Sequence, residues 1–405
     1  MKKISVIGGG PAGIMAAATA ARCGNKVIIF EKNSDLGRKL LITGKGRCNI
    51  TNSAPIEDFI KNVPVNGNFL YSAFYGFTNY DLINLLSELG LETKVERGGR
   101  VFPTSDKSRD VLSALKSLLK KYGVGVVHAE VEKIVPDGDG KIVRLRDGRS
   151  VRCDSVIIAT GGASYPRTGS TGDGYRFARS FGHTVVAPKP SLVPIELKGT
   201  LVSKLMGLSL KNVAVEIRCG GKEIFSDFGE MIFTHFGASG PVVLSASSHI
   251  KQPENGGYTL RIDLKPALDE KTLDRRILRD FESLKNKDLI NSLDALLPKK
   301  MIPVIVELSG LEPHRKINEI TKAQRAKLVH AIKNLEFDIK GFRPIDEAIV
   351  TSGGVSVREI NPSTMESKLV AGIFFAGEVI DVDAYTGGFN LQIAFSTGYA
   401  AGKNA

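Results

Sequence analysis

Cysteine is scarce and dispersed. Cys23, Cys48, Cys153 and Cys219 include no Cys-x-x-Cys pair, which excludes a dithiol relay of the adjacent-cysteine type and offers no zinc spacing. Reduced thiols in a cytoplasmic protein fit this usage. No apolar run approaches the roughly 18 uninterrupted residues of a membrane span. Short-period repeats and low-complexity tracts are also missing, which excludes solenoids and long disordered segments. Lys2-Lys3 followed by an alanine-rich stretch to Ala21 imitates a signal peptide. Cleavage there would remove a strand and a helix joined by spaced glycines, so the stretch reads as part of the fold. The expectation is a soluble, cytoplasmic protein. What remains is ordinary globular composition: 405 residues, 42% hydrophobic and 24% charged, enough for two or three domains.

Those spaced glycines are the strongest local signal. A short apolar strand leads into Gly8-Gly9-Gly10-Pro11-Ala12-Gly13, and a second apolar strand, Lys26 to Phe30, ends at Glu31. Gly8 permits the tight turn, Gly10 admits a pyrophosphate against the backbone, and Gly13 lets helix and sheet pack closely. The helix start then offers free N–H groups and a positive dipole end to phosphate. Glu31 can accept hydrogen bonds from ribose hydroxyls and would repel a 2′-phosphate. The unit reads as a site for FAD or NAD, not NADP. No second fingerprint follows Gly13, so a dedicated nicotinamide domain is not expected. Any NAD(P)H would dock transiently at the flavin face, in the cleft beside an inserted domain.

The formal net charge is +12. Residues 1–50 hold nine Lys/Arg and two acids, and five of those bases (Lys32, Arg38, Lys39, Lys45, Arg47) follow the dinucleotide unit directly. A cofactor pyrophosphate would account for much of that excess, so nucleic acid is not an expected partner.

Along the chain, residues 1–190 read as α/β. Helices are expected over 79–89 and 108–121, a hairpin around Arg146-Asp147-Gly148, and a buried strand over 155–159 ending in Thr160-Gly161-Gly162. Composition shifts near Pro188-Lys189-Pro190. Residues 191–265 alternate as short strands, and 266–335 turn helical, with helices expected over 270–284, 288–296 and 322–334. From 341 to 405 the texture of the first domain returns. The economical reading is one discontinuous α/β domain, 1–190 with 341–405, interrupted by an insert at 191–340. Near the end, a strand closing on Gly377-Glu378 is followed by Thr386-Gly387-Gly388-Phe389-Asn390-Leu391-Gln392 and a small-residue helix. An acid at a strand end can hold a ribityl chain or phosphate, and a helix start aimed at the pyrimidine edge stabilises reduced flavin.

Several motifs carry a wider resemblance. They are Gly37-Arg38-Lys39-Leu40-Leu41-Ile42-Thr43-Gly44-Lys45-Gly46-Arg47-Cys48-Asn49, Ala159-Thr160-Gly161-Gly162, Phe233-Thr234-His235-Phe236-Gly237-Ala238-Ser239-Gly240-Pro241 and Thr351-Ser352-Gly353-Gly354-Val355. With the two terminal motifs, the chain resembles the HI0933-like (BaiN/YhiN) family of FAD-dependent oxidoreductases from first strand to last helix. The resemblance implies a glutathione-reductase-like, Rossmann-type FAD domain whose insert combines a β-barrel-like part with a small helical part. It implies non-covalent FAD, with Ala12 and Gly13 facing the pyrophosphate and Glu31 the adenosine ribose. Arg38 and Lys39, beside Lys32, would approach the phosphates and ribose. Thr43, Gly44, Gly46 and Asn49 would pass the isoalloxazine. Val131 would meet the adenine edge, Gly377 and Glu378 the ribityl or phosphate portion, and Asn390 and Leu391 the pyrimidine, with Gly161 and Gly388 as supporting turns.

The resemblance leaves the substrate open, since bile-acid enone reductase and aminoacetone oxidase activities are attached to relatives. The leading expectation is hydride transfer between flavin N5 and a small organic substrate in an NAD(P)H-linked enone reductase. The alternatives are an oxygen-using amine oxidase and a flavin-carrying RNA-associated protein. His235, in the insert, is the candidate proton donor; Tyr385 and Arg100 are weaker ones. Cys48 reads as an ordinary thiol, not a flavin attachment point, and Asp381 with Asp383 as loop caps, with no metal expected.

Overall fold

The structure, a computed structural model, describes residues 1–405. It divides into two compact units, Met1–Ser191 with Pro344–Ala405, and Leu192–Arg343.

The first unit is built on a five-stranded parallel sheet. In chain order its strands are β1 (Lys3–Ile7), β2 (Lys26–Glu31), β3 (Gly125–His128), β4 (Ser155–Ile158) and β5 (Ile373–Phe375); in space the order is β5-β4-β1-β2-β3. The pairings put Ile4 beside Val27 on one side and Ser155 on the other. β4 is buried along its whole length, as its unbroken apolar run requires of a strand covered on both faces. The chain leaves β1 toward β2 on one flank and returns as β4 on the other. The carboxyl end of β1 is therefore a topological switch point, where open α/β sheets bind ligands.

Two helices cover that point. α1 (Pro11–Arg22) begins with proline at its first position, where no intrahelical N–H is needed. α2 (Phe389–Asn404) lies against it. Their contact depends on Gly398 and Gly402, one turn apart on a single face of α2. A β-carbon at Gly398 would sit 2.4 Å from the Ala12 carbonyl oxygen, and one at Gly402 2.2 Å from that of Ala16. Only glycine lets the two backbones approach this closely.

Smaller sheets complete the unit. An antiparallel sheet comprises Val131–Asp137, Gly140–Leu145 and Ser150–Cys153. A second pairs Thr51–Asn52 and Thr93–Glu96 with Arg100–Pro103. Val185–Ser191 forms a ribbon with Val350–Val355.

The second unit contains a closed six-stranded barrel. Its spatial order is Ile195–Leu197, Gly237–Ser239, Lys222–Phe233, Ser209–Cys219, Tyr258–Asp263 and Leu335–Phe342. Val215, Ile217, Phe233, Leu260, Ile262 and Phe337 belong to its core. Helices Glu270–Ser283, Met301–Ser309 and Lys322–Lys333 lie in sequence between the last two barrel strands. The strand that closes the barrel thus comes after the helices. It alternates, with Leu335, Phe337 and Ile339 buried and Glu336, Asp338 and Lys340 exposed. One helical expectation needs correction, and one helix within the helical stretch is not singled out by the sequence. The stretch 288–296 holds only a 3-10 turn at Leu289–Asn291, because the Leu289 and Ile290 amides donate to the Arg315 and Pro313 carbonyls. Met301–Ser309 is a helix whose Pro303 sits in the first turn, where proline is tolerated; its β-branched content hides it. No helix is long and apolar enough to cross a membrane.

Replacing Gly402 with valine should destabilise the protein by about 1–3 kcal/mol through overpacking. Gly398→Ala, nearer the glycine turn, should also lower retained FAD. Thermal unfolding and the flavin-to-protein absorbance ratio read the two effects separately.

Candidate functional site

At the end of β1 the chain turns through Gly8 at φ +103°, and the Gly8 amide donates to the Phe30 carbonyl. A β-carbon on Gly13 would lie 1.9 Å from the Gly8 oxygen, whereas one on Gly10 would meet nothing within 4 Å. The turn is closed on the helix side and open in front. The Ala12 and Gly13 amides belong to the first helical turn, whose N–H groups have no intrahelical acceptor. Glu31 is buried at the end of β2. One carboxylate oxygen accepts from the Gly9 amide at 2.8 Å; the other accepts from the Asn33 amide at 2.8 Å and its side chain at 2.7 Å. Val131 is brought to this corner because Ala129 donates to the Glu31 carbonyl. Across the switch point, the Thr160 hydroxyl after β4 is buried without a partner, and Gly161 takes φ +73°.

The lysine-rich segment after Glu31 is partly helical. Gly37, at φ +67°, starts a short helix over Arg38–Ile42, and the Thr43 hydroxyl donates to the Leu40 carbonyl. Gly44, Lys45, Gly46 and Cys48 all have positive φ, so the loop is strongly curled. Its bases are largely answered. Lys32 pairs with Asp173 at 2.6 Å, Lys39 with Glu378 at 2.7 Å, and Arg47 with Glu96 at 2.7 Å. Arg38 donates to the Asn33 side chain at 2.9 Å. Three of the five bases are thus neutralised within the protein, while Arg38 and Lys45 have no carboxylate partner. Cys48 is fully buried, and desolvation pushes its thiol up to about 12, which leaves no reactive thiolate at neutral pH.

The C-terminal motif closes the other side. Glu378 accepts from Lys39, from the Ser164 hydroxyl at 3.0 Å and from the Thr351 amide at 2.8 Å. The Thr351 hydroxyl in turn accepts from the Ala163 and Ser164 amides. Glu378 thus ties together three separated segments. Gly388, at φ +104°, caps α2; a β-carbon there would lie 2.2 Å from the Thr51 oxygen. Asn49, oriented to satisfy its neighbours, accepts from the Gly388 amide at 3.0 Å. The Asn390 side chain accepts from the Ala384 amide at 3.0 Å and donates to the Ala384 carbonyl at 2.7 Å. What α2 presents to a ligand at Asn390 and half-buried Leu391 is therefore backbone N–H, with Asn390 fixing the approach loop.

Asp381 and Asp383 lie on that loop, both buried, with burial raising both carboxyls. Ser191 donates to one oxygen of Asp383 at 2.7 Å, and the other oxygen has no partner. Tyr385 is held by its amide to the Asn62 carbonyl at 3.0 Å, and Arg100 lies in the strand Arg100–Pro103.

All the cofactor candidates fall in the first unit, gathered at the strand ends and the starts of α1 and α2. His235 belongs to the second. It is exposed in the loop joining two barrel strands, edge-on to Phe236 at 4.9 Å. The segment after it is a barrel strand, Gly237–Ser239, before a helix begins at Pro241. Sequence reasoning missed Asn33, Asp173 and Ser164, which orient Glu31, Lys32 and Glu378. No spacing rule points to them, because they come from other segments.

The HI0933-like protein Rossmann domain matches residues 2–404. The chain belongs to the HI0933-like family. It is 34% identical over 418 residues to a 3-dehydro-bile acid delta(4,6)-reductase of Clostridium scindens, covering 100% of this chain and 99% of that protein. It is also 34% identical over 401 residues to a ribosomal RNA dihydrouridine synthase of Haemophilus influenzae, covering 98% and 96%. A protein of the same name from Escherichia coli is 31% identical over 400 residues, at 98% and 96% coverage. As a member of the HI0933-like family the chain is an FAD-dependent oxidoreductase. The open turn at Gly10 and the free first-turn amides of α1 fit such a cofactor.

Because Asp383 holds its proton more tightly when folded than unfolded, it favours folding at low pH. That contribution is lost as pH rises above the ordinary carboxylate range. Asp383→Asn should raise stability near pH 7 on the order of 1 kcal/mol. The gain should shrink as pH falls toward 4, as read from denaturant midpoints across pH.

Proposed function

We propose that this protein reduces a carbon–carbon double bond conjugated to a carbonyl, taking electrons from NAD(P)H through FAD, and that its substrate is a uracil base in RNA. The two kinds of relative support one reaction. A 3-oxo steroid with a Δ4 double bond and a uridine with its C5=C6 bond beside C4=O present the same activated alkene. The observation that carries the RNA substrate is that Lys32, Lys39 and Arg47 are already paired within the protein. Most of the +12 charge is then not spent on the cofactor and remains available to a polyanion.

In this reading Ala12 and Gly13 hold the pyrophosphate with Arg38 nearby, and Glu31 holds the adenosine ribose. Gly8 and Gly10 shape the turn, and Val131 borders the adenine. Lys39 and Glu378 fix the wall formed by Gly161, Ser164, Thr351 and Gly377. Thr43, Gly44, Gly46 and Asn49 pass the flavin ring, Gly388 shapes the turn into α2, and the amides at Asn390 and Leu391 favour negative charge at the pyrimidine edge. Reduced FAD, when bound, supplies a hydride to the β-carbon of the alkene, and a proton completes the α-carbon. With one dinucleotide fingerprint occupied by FAD, NAD(P)H visits transiently.

Anaerobic titration with NADH and NADPH should bleach the flavin band. Reoxidation should follow addition of a uridine-containing ribosomal RNA fragment, with dihydrouridine detected by mass spectrometry. Reoxidation by a steroid enone alone would move the substrate to the small-molecule class, and a flavin that only oxygen-coupled amines reduce would sink the reductase reading.

A further inference from the structure

We propose that the turn Arg97-Gly98-Gly99-Arg100, with Lys45 and Tyr80, is a docking platform for single-stranded RNA; the proposal rests on the RNA reading above. The turn joins Thr93–Glu96 to Arg100–Pro103. Gly98 and Gly99 take φ of +77° and +72°, and a β-carbon on Gly98 would meet nothing within 4 Å. The tip is thus open backbone, able to admit a phosphate chain at close range.

The cations here divide into two groups. Arg47 and Lys94 are answered by Glu96 and Asp106 at 2.6–3.2 Å. Arg100 reaches Glu96 only at 3.8 Å and is 41% exposed, while its Nε donates to the Arg97 carbonyl, which fixes the pair as one unit. Exposed Arg97 and exposed Lys45 have no carboxylate within ion-pair distance, and Lys45 takes φ +59° between two glycines. Tyr80 supplies an aromatic face. It is 56% exposed, and its hydroxyl is tethered at 3.4 Å to the Ser53 carbonyl, while the Ser53 amide donates to Gly99 at 2.7 Å. A ring pinned beside a two-arginine turn is what non-sequence-specific single-strand binding uses: guanidinium groups for phosphate and an aromatic plane for a base.

The platform also lies beside the chemistry. Asn52, which pairs with Arg100 across the sheet, donates to the Gly98 carbonyl at 2.9 Å and to the Gly387 carbonyl at 3.0 Å. One side chain therefore spans from the arginine turn to the glycines that start α2, where the flavin edge is placed. A strand gripped at Arg97 and Arg100 would present its next base toward that edge.

The test is fluorescence anisotropy of a fluorescein-labelled oligouridylate with the FAD-loaded full chain across a salt series. Arg97→Ala with Arg100→Ala should weaken binding more than tenfold at low salt and flatten the salt slope by about 0.7 per lost contact. Tyr80→Ala should weaken binding about 5- to 150-fold with the slope unchanged, and Tyr80→Phe should restore it. FAD absorbance and thermal midpoint identify any variant that has misfolded, in which case Arg97→Gln and Arg100→Gln replace it. Wild-type binding that all these variants retain would overturn the platform and leave the RNA reading standing. Failure of the wild type to bind oligouridylate at low salt would overturn both.

Discussion

Everything at the cofactor end of this protein depends on how closely two helices can lie. α1 carries the dinucleotide turn and α2 carries the second glycine cap. The Ala12 and Ala16 carbonyls accept the α2 backbone only because positions 398 and 402 have no side chain. A methyl group at either place would push the two helices, and the glycine turns they carry, apart. The alanine-rich sequence of α1 follows from the same constraint: Ala12, Ala16 and Ala20 leave no bulk where another backbone must pass. Helix packing thereby becomes part of site geometry.

A second consequence concerns charge. The bases after Glu31 look, in one dimension, like an unbalanced cationic loop. In three dimensions Asp173, Glu378 and Glu96 arrive from elements far along the chain and pair with them. These half-exposed pairs contribute little to stability individually. Their role is positional. Lys39 through Glu378 joins the loop to the Thr351 turn and to Ser164, so that one carboxylate fixes three walls.

The parts of this arrangement that the sequence reveals are those with short-range rules. The turn from Gly8 to Gly13, Glu31 at a strand end, the amphipathic helix Ser108–Lys121 and the hairpin around Asp147 follow from spacing and periodicity alone. The HI0933-like motifs extended that reading to the whole chain. What stayed hidden was long-range. Gly398 and Gly402 look like ordinary small helical residues until Ala12 and Ala16 are placed opposite them. Asn33 looks like loop until its amide is seen holding Glu31. The last barrel strand escapes notice because three helices separate it from its neighbours, and Met301–Ser309 hides because valine and isoleucine suit a strand equally well.

The Gly402–Ala16 contact joins two residues that the ribosome makes far apart in time. Leu192–Arg343, with its own barrel and core, is complete before α2 has been synthesised. What counts is that α1 is translated before the insert and its close partner after it. Until then the surface formed by Ala12 and Ala16 stays open on the growing polypeptide, and the cofactor pocket gains its second helix only after the whole inserted unit has been made. Assembly of the flavin site therefore waits, by topology alone, on a unit of the chain that contributes neither of the two helices.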